Sequence, residues 1–169
     1  MSGIEEINVT RADIEEFFLH HLNKIYTAKS LLVLELPELM SNAHFSDLRE
    51  AIEHTIGEVK QQITRMDEIY EALPIDHVKI HSKGLKGLIE DSFGEIKAYS
   101  TNPELRDMSI LFYLHCIESI ETASFQILEM ASVKIKNSQV KELIKKNYED
   151  AKADKTLYLL ISAKYISTV

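Results

Sequence analysis

Apolar residues recur every three to four positions through four long segments of the chain, with a shorter one between the second and third. The first segment starts near Thr10, a plausible N-cap with Asp13 three residues on. Its stripe is Ile14, Phe18, Leu22, Ile25, Leu32, Leu36 and Leu39, with an expected end near Ser41 and Asn42 and a possible bend at Pro37. The second follows Ser46 and runs Leu48, Ile52, Ile56, Val59, Ile63, Met66, Tyr70, Leu73. These steps approach the seam of a coiled-coil-like bundle, and Pro74 should stop it. Leu85, Leu88, Ile89, Phe93, Ile96 and Tyr99 mark a helix of about four turns. Asn102 then caps the next helix, with Pro103 at its first position. That helix is predicted over 103–131 and carries two stripes. One is Ile110, Tyr113, Ile117, Ile120, Ser124, Ile127, Ala131; the other is Leu111, Leu114, Glu118, Glu121, Phe125, Leu128. A last helix begins near Asn137 and Ser138, with Val140, Ile144, Tyr148, Ala151, Tyr158, Ser162 and Tyr165 on its stripe.

Four long helices with a helical crossover between the second and third fit a ferritin-like four-helix bundle. The fold class is therefore all-α, as a single domain over 1–169 with its core over about 11–166. Composition agrees. The chain has 5 Gly and 3 Pro, about 5 % together against a usual ~12 %, too few for a turn-rich β fold.

The net charge of −8 argues against a nucleic-acid partner. Lys141, Lys145 and Lys146 form the densest basic group and read as a solvated helix face. Cys116 is the single cysteine, expected to be a buried inert thiol. There is no long apolar run to span a membrane, and residues 1–10 are acidic without an apolar signal core, so a cytoplasmic location is expected.

Ferritin-like bundles hold two iron or manganese ions with a Glu from each of two helices and a Glu-x-x-His pair from each of the other two. None of the seven histidines has a Glu three residues before it. What remains is acidic. Glu118 and Glu121 interrupt an apolar stripe, where two carboxylates need pairing, protonation or a metal. The favoured reading turns the other stripe inward and leaves both at an edge. Glu58, Glu90, Glu149 and Asp150 read as solvated helix acids. Lys29 lies between Ile25 and Leu32 on the first stripe, where it either pairs with Glu118 or Glu121 or extends its head to solvent. His77 and His81 are read as surface residues, and His115 as a structural hydrogen-bond partner of Glu118.

Several runs carry a family resemblance: Leu36-Pro37-Glu38-Leu39, Arg65-Met66-Asp67, Gly87-Leu88-Ile89-Glu90-Asp91, and Ile117-Glu118-Ser119-Ile120-Glu121. Together with 17–28 and Glu149-Asp150 they resemble the YciF-type family, ferritin-like proteins associated with bacterial stress. The departures from its pattern fall at candidate ligands. Lys29 stands where the family usually has Glu, and Ser119-Ile120 stands where a His-Tyr pair is common. The resemblance implies a stress setting and a homodimer. The residues imply a non-catalytic bundle with a degenerate di-metal site and no cofactor, Lys29 substituting for part of the missing charge. The rival is an active di-iron or di-manganese protein of iron or peroxide handling, with Glu58, Glu90, Glu118 and Glu121 as ligands.

Overall fold

The computed structural model describes residues 8–73, 78, 80 and 82–168. It contains α1 (Arg11–Asn42), α2 (Ser46–Ala72), α3 (Lys83–Ala98), α4 (Pro103–Ile135) and α5 (Ser138–Ile166), with no strand among the described residues. The three-residue link between α1 and α2 and the two-residue link between α4 and α5 leave room only for antiparallel neighbours. Helix α1 packs on α2 and α4, and α5 packs on α4 and α2, closing a four-membered ring. The shorter α3 lies across α4 and α1.

The helix starts follow local chemistry. Thr10 and Asp13 form a reciprocal capping box at α1. Asn102 accepts from Leu105 N–H at α4, and Asn137 from Gln139 and Val140 N–H at α5. Pro37 sits inside α1 without ending it, and the helix stops at Asn42 as its pattern suggests. Helix α4 runs four residues beyond its predicted end and closes at Lys136 in a left-handed conformation. Pro74, His77 and His81 lie outside the described residues, so the helix stop and surface histidines assigned to them have no structural counterpart here.

The link into α2 is held by a residue with no mark in the helical pattern. Asp107 of α4 is wholly buried, and its Oδ2 accepts from the backbone N–H groups of His44 and Phe45, each at 2.6 Å. Both donors belong to the N-terminus of α2, where a carboxylate also meets the favourable end of the helix dipole. Arg106 donates to the Asn42 carbonyl at 2.6 Å, and Arg49 to the Ala43 carbonyl at 3.0 Å.

The core falls into two apolar clusters stacked along the bundle. One gathers Leu32, Leu36, Leu39, Ile52, Val59, Leu111, Leu114 and Tyr158. The other gathers Phe18, Leu22, Ile25, Met66, Phe125, Leu128, Val140 and Ile144. On α1 the boundary falls between Ile25 and Ala28, on α2 between Val59 and Met66, on α4 between Ile117 and Phe125, and on α5 between Ala151 and Tyr158.

Candidate functional site

Each ring helix turns a polar side chain inward at that boundary. Lys29 comes from α1, Gln62 from α2, Glu118, Glu121 and Thr122 from α4, and Asp154 from α5, all buried. Spacing explains the placement. Lys29 follows Ile25 by four, Gln62 follows Val59 by three and precedes Met66 by four, and Asp154 follows Ala151 by three and precedes Tyr158 by four. A residue on an apolar stripe shares its face whatever its polarity.

This corrects the expected rotation of α4. The Leu111–Leu128 stripe faces the interior throughout, carrying Glu118 and Glu121 with it. On the other stripe Ile120 and Ile127 are exposed. Both stripes are apolar, so periodicity alone could not choose between them.

Lys29 reaches Glu121 through a buried ion pair, its side chain 0 % exposed and its partner's 1 %. The ammonium also stands 5.8 Å from the Phe125 ring centre. Of the two open readings of Lys29, the paired one holds. On the same layer, the Tyr158 hydroxyl donates to Thr55 Oγ1 at 2.8 Å, and His54 Nδ1 lies 3.4 Å from Asp154. The Gln62 side-chain amide and one oxygen of Glu118 have no hydrogen-bond partner among the described residues, so the layer is not fully satisfied within itself, a costly state for buried polar groups.

The remaining candidates separate. Glu58 is half-buried rather than solvated, 4.0 Å from His54. Burial and the neighbouring Asp150 hold its carboxyl above the ordinary range. Asp150 is also half-buried, paired with Arg65, while Glu149 is exposed as read. Glu90 is exposed, 3.5 Å from Lys86, and does not reach the interior. His115 does not bond Glu118; its Nδ1 donates to the Lys155 carbonyl at 3.0 Å. Cys116 is half-buried instead of buried. Asp154, Gln62 and Thr55 carry no signal of their own in the sequence, because each is one polar residue among many on its helix.

These residues do not fit a di-metal centre. Such a centre needs carboxylates converging from all four helices. Here both interior glutamates share one helix, α1 presents an ammonium, and α2 presents an amide and a hydroxyl. Among the described residues no group of three or more His, Cys, Asp or Glu is placed to hold a metal ion.

The protonation states follow from the same geometry. Burial, reinforced by the charge of Glu121, holds the Glu118 carboxyl well above the usual 4.5. Burial also raises Asp154 above 3.8, against the pull of His54, Lys29 and the Thr55 hydroxyl. For Lys29, burial acts downward, but Glu121, Glu118 and Asp154 outweigh it and hold the ammonium above 10.5. A carboxyl raised on folding binds its proton more tightly in the folded state. Its stabilisation is full below the unfolded value and is lost as pH climbs to the folded one. Lys29 adds stability that is lost only above 10.5. The expected result is a stability that falls as pH rises above the ordinary carboxylate range, with a slope of up to ~1.4 kcal/mol per pH unit for each proton involved. Glu118→Gln should flatten that slope. Stability rising steadily over the same range would contradict the assignment.

Comparison with known proteins places this geometry. Residues 13–165 match the model of a family described as a domain of unknown function (DUF892). The chain is 28 % identical over 143 residues to Protein YciF of Escherichia coli strain K12, covering 83 % of this chain and 84 % of that one. Among solved structures, the E. coli stress protein YciF superposes with a TM-score of 0.86 at 24 % identity, covering 92 % of this chain and 98 % of that one. A Rhodopseudomonas palustris protein described as "YcfI, a putative structural protein" gives a TM-score of 0.79 at 21 % identity, covering 91 % and 96 %. These two likenesses establish a shared fold.

Proposed function

The chain belongs to the DUF892 family, and on that premise we propose that it is a non-catalytic, ferritin-like bundle protein with a degenerate di-metal site. The observation that carries this reading is the Lys29–Glu121 ion pair at the polar boundary between the two core clusters. A positive charge fixed beside the two interior glutamates does electrostatically what a bound cation would do, and it repels a divalent ion from the same space. The role is structural, in a stress setting and in the cytoplasm, and the working form is a homodimer paired through a helix face. The descriptions of the two matched structures, a "stress protein" and a "putative structural protein", favour the same assignment.

Elemental analysis of protein purified without chelator tests the proposal. The expected content is well below one iron or manganese per chain, with no rise in melting temperature when either ion is added, since a ligand stabilises only a state that binds it. Stoichiometric uptake with a clear thermal upshift would instead favour a di-iron or di-manganese protein of iron or peroxide handling.

A further inference from the structure

Helix α3 lies across the groove between α1 and α4, and its Leu85 and Ile89 pack into the first core cluster. Near the start of α3 that groove opens into a cleft of about 370 Å³ beside the second cluster. Its walls are two rows of equal spacing: Phe17, His21 and Lys24 on α1, and Ile120, Ser124 and Ile127 on α4. Steps of four and three keep each row on one helix face. Ile25 and Leu128, both core residues, form the floor. Phe17 and Ile127 are 40 % and 53 % exposed, so an apolar wall faces water above a dry base. The charge in the cleft has one sign. The chain carries −8, yet no Asp or Glu is among the lining residues. Lys24 is half-buried, and none of the ion pairs among the described residues engages it. The His21 ring packs on Phe17 with centres 4.5 Å apart. Burial lowers its imidazole below the usual 6.5, and the charges of His20 and Lys24 lower it further. At neutral pH it is therefore an uncharged hydrogen-bonding ring, and Lys24 is the cation of the lining.

We propose that this cleft binds a fatty acid, with the carboxylate at Lys24 and His21 and the alkyl chain between Phe17, Ile120 and Ile127. Charge and size select this occupant. One cation without a counter-ion suits a monoanion, and the neutral His21 ring can donate a second hydrogen bond to the same carboxylate. A phosphate dianion would find too little positive charge there. The apolar walls call for a hydrocarbon, whose burial takes the exposed parts of Phe17 and Ile127 out of water. A volume near the lower end of the range of about 300–1,000 Å³ for small-ligand sites suits one chain and excludes a two-chain lipid. Ser82 and Leu85 stand at the α3 end of the cleft, and the first turn of α3 holds no acidic residue that would repel the head group. The inference adds a ligand to the structural role proposed above and does not depend on the state of the metal site.

Calorimetric titration of the full chain with dodecanoate, kept below its micelle-forming concentration, tests the proposal. Saturable binding of one molecule per chain is expected, tightening about three- to four-fold for each methylene added between octanoate and dodecanoate. Dodecanol, with the same tail and no charge, should bind about ten-fold more weakly. Lys24→Met keeps the apolar stem and removes the charge. It should bring dodecanoate down to the level of dodecanol and leave dodecanol unchanged. Ile127→Glu places a carboxylate on an exposed part of the wall, so it should abolish binding of dodecanoate with the helical circular dichroism intact. No saturable uptake by the wild type would overturn the proposal. Equal binding by the wild type, Lys24→Met and Ile127→Glu would also overturn it, by placing the ligand elsewhere. So would binding to phosphatidylcholine vesicles without any binding of free dodecanoate, which would make the face a membrane contact instead.

Discussion

Lys29→Ala is expected to destabilise the protein by about 3–5 kcal/mol, the usual cost of removing one partner from a buried ion pair. The size follows from what stays behind. Glu121 would keep a buried carboxylate with Glu118 beside it and no cation in the layer, and the space of a long side chain would be empty. Against a typical total stability of about 5–15 kcal/mol, the loss is a large fraction. Urea unfolding should show a lower midpoint with an unchanged slope. An exposed control, Lys145→Ala, should shift stability by less than about 1 kcal/mol. A similarly small loss at Lys29 would mean that its ammonium reaches solvent in the folded protein. Lys29→Met combined with Glu121→Leu should recover most or all of the loss, because a well-packed apolar pair replaces two desolvated charges.

The second large effect is expected at Asp107, far from the polar layer. Asp107→Ala leaves the N–H groups of His44 and Phe45 without their acceptor. Two fully buried donors would cost about 2–6 kcal/mol at about 1–3 for each; these are part-buried and water can enter the turn, so the loss should be roughly 2–4 kcal/mol. Amide hydrogen exchange at His44 and Phe45 should accelerate in the variant well beyond that at Phe18 or Leu22 in the opposite cluster. Uniform acceleration across the chain would show that Asp107 acts on global stability and does not specifically clamp the α1–α2 turn.

The bundle itself is legible in the chain. Thr10, Asn102 and Asn137 announce three helix starts, because a cap is a local bond between residues two or three apart. The ends are softer. Nothing between Ala131 and Ile135 breaks a helix, so the apolar pattern ends a turn before α4 does. Rotation is harder still. The second stripe of α4 is as apolar as the first, yet Ile110 and Ile117 on it are buried while Ile120 and Ile127 are exposed, and a single chain does not say whether an apolar face meets its own core or another molecule. Lys29 stood out because a long cation on an apolar stripe is rare. Asp107 did not, because an acid in the first turns of a helix is ordinary, and its two bonds join residues more than sixty positions apart.

The division of the core into two clusters bears on how the helices find their alignment. Four long helices with apolar stripes can trade one register for another by sliding a heptad, about 10 Å along the axis. Leucine facing leucine would look much the same afterward. A single polar stratum removes that degeneracy. Any such slip takes Lys29 away from Glu121 and sets an unpaired ammonium among the aliphatic side chains of either cluster. The penalty for misalignment is then electrostatic and several times larger than that of a repacked leucine. The layer that weakens the core by interrupting it also serves as a key cut at one position on each helix, and the four pieces close in only one way.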